Sequence, residues 1–98
     1  MDINITREDT TLTVALDGRL DTLTAPQLED KQEDSIEGVE KLVFDLEKLQ
    51  YISSAGLRVL LSAMQIMEEQ GELKVRNARP EVMDVFEVTG FIDYLSFE

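Results

Sequence analysis

Apolar and polar residues alternate strictly at the start of the chain. In "DINITRED" Ile3 and Ile5 share one face, and in "TLTVALDG" Leu12, Val14 and Leu16 do the same. Period-two alternation on both sides of a short polar turn predicts a β-hairpin. The period then changes in "TAPQLEDKQEDSIEG". Thr24 and Gln27 have the spacing of a capping box, Pro26 falls in the first turn and Gly38 follows the last, so a helix is predicted. Its apolar stripe of Ala25, Leu28 and Ile36 is thin, which places this helix on the outside.

In "KLVFDL" the residues Leu42, Val43 and Phe44 are consecutive, as expected of a strand buried on both faces. A helix follows over "SSAGLRVLLSAMQIMEEQ" and stops at Gly71. "ELKVRNA" alternates again, with Leu73 and Val75 inward. "PEVMDVFEVT" is a third helix, with Pro80 near its start and Gly90 just past its end. "FIDYLSF" reads as a short closing strand. The predicted order is ββαβαβαβ: an α/β fold in which a hairpin leads into right-handed crossovers on a mixed, partly parallel sheet. No repeat, linker or low-complexity stretch divides residues 1–98, so one domain is expected.

The handover from strand to helix at "YISSAGLRVLL" raises a chemical question, because small hydroxyl residues sit there. At about 100° per residue, Leu57, Leu60, Leu61 and Met64 form the predicted core stripe. Arg58, Ser62, Gln65 and Glu69 form a polar stripe, and one turn back along it lies Ser54. Ser53 falls nearer the core and is the better N-cap. Gly56 is a poor helix former. It serves either close packing on the neighbouring strand or clearance that lets another surface approach over Ala55. The polar stripe is either ordinary solvated helix or a docking surface.

Charge narrows the partners. The chain carries 21 acidic and nine basic residues, a net charge of -12, so nucleic acid is excluded as a partner. From Pro80 to Glu98 there is no basic residue. That bias serves solubility, or it draws in a basic protein. No apolar run is long enough to span a membrane, "MDINITRED" does not read as a secretory signal, and cysteine is absent, all of which suit the cytosol.

Catalysis is not expected. The chain has no histidine, so a Ser-His pair cannot form, and none of Lys31, Lys41, Lys48 or Lys74 is tied by spacing to Ser54. Phosphate-loop glycine motifs and a spaced calcium loop are also missing, so no cofactor or metal is predicted. An exposed serine at a helix start can still carry a phosphate, because free N–H groups and the helix dipole face it there.

"VFDLEKLQYISSAGLRVLL", with the upstream "LDGRLDTLTAPQLE", resembles the STAS domain of bacterial anti-sigma factor antagonists over essentially the whole chain. The family's usual motif is Asp-Ser-(Ser/Thr)-Gly, whose serine is phosphorylated by the anti-sigma factor, itself a serine kinase. With Gly56 on the family glycine, Ala55 takes the Ser/Thr position, Ser54 the phosphorylated serine and Ser53 the aspartate. Ser53 thus departs from the pattern and removes a carboxylate beside the site; it is the lesser candidate for modification. The family's loop pattern Gly-x-Leu-Asp reads Gly18-Arg19-Leu20-Asp21 here. Asp21 is either a contact to the kinase or the cap of the turn before the first helix.

The resemblance implies a cytoplasmic switch protein rather than an enzyme. Unphosphorylated, it binds the anti-sigma factor kinase and releases the sigma factor; phosphorylation at Ser54 ends that binding, and a PP2C-type phosphatase resets it. Asp21, Ser53, Ala55, Gly56, Arg58, Ser62 and Gln65 are the implied contact residues. Small STAS subunits of lipid-transporting ABC systems are the alternative, and a scaffold in a larger stress-sensing assembly is a further one.

Overall fold

A computed structural model describes residues 1–98. Strands β1 (Asp2–Glu8) and β2 (Thr11–Leu20) form the predicted hairpin, pairing from Asp2 with Asp17 to Glu8 with Thr11. Asp9 takes the left-handed conformation (φ 55°) that a two-residue turn requires. Helix α1 (Ala25–Ser35) crosses to β3 (Lys41–Ile52), α2 (Ser54–Gln70) to β4 (Glu72–Arg76), and α3 (Pro80–Thr89) follows. The sheet runs in the order β1-β2-β3-β4, with β2, β3 and β4 parallel.

Each crossover steps the same way across the sheet, and right-handed crossovers of one direction put every helix on one face. That face presents Leu12, Val14 and Leu16 of β2, Leu42 and Phe44 of β3 and Val75 of β4. They join Leu28, Leu57, Leu60, Met67, Val82 and Phe86 of the helices in one core of 22 residues. Leu42, Val43 and Phe44 are all buried, so β3 is buried on both faces as expected. Val43 is 3% exposed but stands outside that core, shielded on the helix-free face by its register neighbours Thr13 and Lys74.

The expected closing strand is corrected. After Gly90 (φ 81°), Phe91–Asp93 form a 3-10 turn in which the Phe91 carbonyl accepts from the N–H groups of both Tyr94 and Leu95. Only a single parallel bridge, Val75 to Phe97, remains beside β4, held by Val75 N–H to the Ser96 carbonyl at 2.8 Å and Glu98 N–H to the Val75 carbonyl at 2.9 Å. Phe97 leans on Phe86 at a centroid distance of 6.3 Å.

Two local readings change as well. Thr24 does not close a capping box on α1; its hydroxyl turns back and donates to the Arg19 carbonyl at 2.7 Å. On α2, Leu61 is 38% exposed and Met64 only half-buried, while Gly56, Val59, Leu60, Ala63 and Met67 face the core with Leu57. The small residues Gly56 and Ala63 let the helix lie close on the strands, so the buried arc mixes them with the large Leu57, Leu60 and Met67. At the far end, Gly71 passes so near β3 that a Cβ would strike the Glu40 carbonyl.

Candidate functional site

The long strand β3 outruns β4 and pairs along its last residues with β2, Arg19 opposite Tyr51 and Leu20 opposite Ile52. There the chain turns into α2. Ser53 makes the turn in extended geometry (φ -97°, ψ 177°) and its backbone is fully used. Its N–H donates to the Leu20 carbonyl at 2.9 Å and its carbonyl accepts from Leu57 N–H at 2.9 Å. Its hydroxyl accepts a long bond from Gly56 N–H at 3.4 Å, so Ser53 is the N-cap the sequence suggested.

Ser54, the first residue of α2, faces solvent. The N–H groups of Ser54 and Ala55 make no hydrogen bond within the chain, leaving two donors at the positive end of a 17-residue helix. Arg58, one turn on, and Gln65 are exposed along the same line; Ser62 is half-buried on its flank. Leu61, expected in the core, lies on this outer line between Arg58 and Gln65.

Gly56 resolves toward packing. It is buried, and a Cβ there would come within 2.7 Å of Leu20 Cγ and 2.9 Å of Ile52 Cγ1. Its missing side chain lets α2 start directly against the ends of β2 and β3. Ala55 is half-buried and packs on the core. With Arg58, Val59, Thr22, Ala25, Pro26 and Glu29 it lines a shallow groove of about 210 Å³ between the starts of α1 and α2.

Asp21 caps the turn before α1. Its Oδ1 accepts from Leu23 N–H at 3.0 Å, Thr24 N–H at 3.1 Å and the Thr24 hydroxyl at 3.3 Å. The Asp21 N–H in return donates to the Thr24 hydroxyl oxygen at 2.9 Å. The Thr24 N–H bond holds the Asp21 carboxyl below the usual aspartate range; partial desolvation opposes this, and the Leu23 N–H adds to it.

Three side chains at this end are exposed that the sequence either passed over or, for Leu61, placed in the core. Leu23 is 83% exposed at the tip of the Asp21 turn, and Tyr51 is 40% exposed with the Arg19 guanidinium 4.3 Å above its ring. Leu61 is the third. The signal for Leu23 was present: a leucine between Asp21 and Thr24, inside a turn motif and outside both flanking periodicities. No His, Cys, Asp or Glu side chains gather in threes to hold a metal, and no helix is long and apolar enough to cross a membrane.

A family model described as the STAS domain matches residues 2–98. The Bordetella bronchiseptica protein BtrV, named as an anti-sigma factor antagonist, is 40% identical over 94 residues, which cover 94% of this chain and 81% of BtrV. Among solved structures, the anti-sigma factor antagonist SpoIIAA in its unphosphorylated form superposes with a TM-score of 0.86 at 23% identity, covering 99% of this chain and 88% of SpoIIAA. The phosphorylated form of the Bacillus SpoIIAA gives 0.77 at 22% identity, covering 99% and 91%.

Proposed function

The chain belongs to the STAS domain family, and on that premise we propose that it acts as an anti-sigma factor antagonist switched by phosphorylation of Ser54. In this reading the unmodified protein works in the cytoplasm, where it binds an anti-sigma factor that is also a serine kinase and frees the sigma factor. The kinase, with its own ATP and divalent metal, transfers the γ-phosphoryl group to Ser54 Oγ; ADP leaves, and the hydroxyl proton passes to a base of the kinase. A PP2C-type phosphatase later hydrolyses the phosphate. The chain is substrate and partner, with no catalytic role and no cofactor of its own.

The single observation that carries this reading is the division of labour between the two serines. Ser53 is consumed as N-cap, whereas Ser54 presents a free hydroxyl beside two unpaired N–H groups. A phosphate there meets donors and a favourable dipole, so the fold accepts it. The surface, however, gains about -1.5 to -2 charges. At a docked interface, crowding of like charge and desolvation amount to several kcal/mol, and about 1.4 kcal/mol is a tenfold change in affinity.

The test is capture of partners from the native bacterium by wild type, Ser54→Ala, Ser54→Asp and Ser53→Ala, with phosphorylation read by mass spectrometry. A serine kinase retained by wild type and Ser54→Ala but at least tenfold less by Ser54→Asp is the expected result, with phosphate on Ser54 and not on Ser53. Retention of a transporter ATPase equally by all four would overturn the proposal in favour of a transport subunit.

A further inference from the structure

An exposed leucine by itself says nothing about function, and Val88 on α3 is as exposed as Leu23. What distinguishes Leu23 is how its backbone is held. Its N–H is bound by Asp21 Oδ1, as is that of Thr24. The Thr24 hydroxyl is tied both to the Asp21 N–H and to the Arg19 carbonyl, and Ala25 N–H closes on the Asp21 carbonyl at 2.8 Å. A short turn so densely bonded gives the core nothing, because the side chain at its tip points away from it. It does hold an apolar group in one place, right after Thr22, which lines the groove with Ala25, Ala55 and Arg58, and three residues on from Leu20, whose carbonyl accepts the Ser53 N–H. Presenting a contact group already ordered removes the entropic cost of fixing it on binding.

From this geometry we infer that Leu23 is the apolar anchor of the partner interface, that Asp21 is its positioning residue, and that the anti-sigma factor offers a matching apolar socket edged by oxygen acceptors for Arg58. The inference rests on the antagonist reading and deepens it. It also reassigns Asp21, whose engaged Oδ1 serves the turn and not the partner. A phosphate on Ser54 then acts at the edge of the seat that Leu23 occupies. One mark beside an anchor loosens the whole contact.

The experiment uses the purified anti-sigma factor kinase recovered by the wild-type protein, in surface plasmon resonance against wild type, Leu23→Ala, Leu23→Met, Asp21→Ala and Val88→Ala. Leu23→Ala is expected to bind at least tenfold more weakly through faster dissociation, with its melting temperature unchanged, while Leu23→Met retains most affinity and Val88→Ala all of it. Asp21→Ala is expected to weaken binding together with faster amide exchange at Leu23 and Thr24, the mark of a loosened turn. Wild-type affinity in Leu23→Ala, or an equal loss in Val88→Ala, overturns the anchor and leaves the antagonist reading standing. If the wild type recovers no kinase at all, both fall.

Discussion

Gly56 shows how one absent methyl group sets the geometry of the site. Leu20 is fully buried beneath it, and Leu20 Cγ is a branch point rather than a flexible tip, so it cannot swing clear of an added Cβ at 2.7 Å. Overpacking of this kind costs about 1–3 kcal/mol. Alanine's better helix propensity returns at most about 1 kcal/mol, and less in a first turn. Overpacking wins, and Gly56→Ala is expected to lower stability by about 1–2 kcal/mol in urea unfolding. The strain passes through Leu20 to the Asp21 turn that follows it, so partner affinity should fall too. A Leu20→Ala background removes the γ carbon and should lessen the penalty, leaving the share due to Ile52 Cγ1 at 2.9 Å. An equal penalty in both backgrounds would place the cost elsewhere than in that contact.

At the scale of elements, α1 carries an internal defect. Gln32 is 2% exposed on the face shared with Ala25 and Leu28, and its Oε1 has no hydrogen-bond partner. A buried unpaired acceptor costs about 1–3 kcal/mol, whereas an unbranched apolar side chain of similar length fills the same space without that penalty. Gln32→Met is therefore expected to raise the urea midpoint, by about 1 kcal/mol in stability; a lowered midpoint would show that the amide is in fact satisfied. The same helix marks the limit of what pattern reveals. Ala25, Leu28 and Ile36 are legible as its inner stripe, but a glutamine completing that stripe is not, because periodicity scores it as surface. On α2 the error runs the other way: Leu61 reads as core by character, and only the close approach permitted by Gly56 and Ala63 turns it out. The hairpin, β3, β4 and the ends of α2 and α3 are legible because alternation, Pro and Gly act locally, whereas α1 stops at Ser35, ahead of Gly38. The closing strand is not, since residues 91–95 bond among themselves through a turn that an apolar run does not encode. Within the site, the outward Ser54 and the capping Ser53 follow from helical phase alone. Leu23 does not, because its role depends on hydrogen bonds across a turn.

Across the whole molecule charge is layered. The four strands hold six acidic and six basic residues, while the three helices hold nine acidic and two basic, all nine acidic ones exposed. The helices thus carry -7 of the net -12 and the strands none, the remaining -5 lying in the connecting segments and the C-terminal end. A few carboxylates work against the general repulsion. For Asp45, desolvation alone would raise the pKa, yet bonds from Glu47 N–H, the Asn77 amide and Arg76 outweigh it and hold the carboxyl below its ordinary value. Lys41, 2.9 Å from Glu98, likewise lowers the Glu98 carboxyl, mainly through their hydrogen bond, and is itself raised by it. Asp21, Asp45 and Glu98 therefore bind protons less readily folded than unfolded. Each contributes stability that is full above its unfolded value, near 4, and is lost as pH falls through the lower folded value. Lys41 has the opposite sign: its contribution is full below 10.5 and is lost as pH rises through its raised folded value. Urea unfolding in about 0.2 M salt, where exposed charges are largely screened, should accordingly show a plateau near neutral pH and a decline below about pH 4. Asp45→Asn should lose about 1 kcal/mol on the plateau and show a shallower acid decline, since Asp45 with its three partners is the best buried of the group. An acid limb as steep in Asp45→Asn as in wild type would mean that its carboxylate does not anchor the end of β4 to β3.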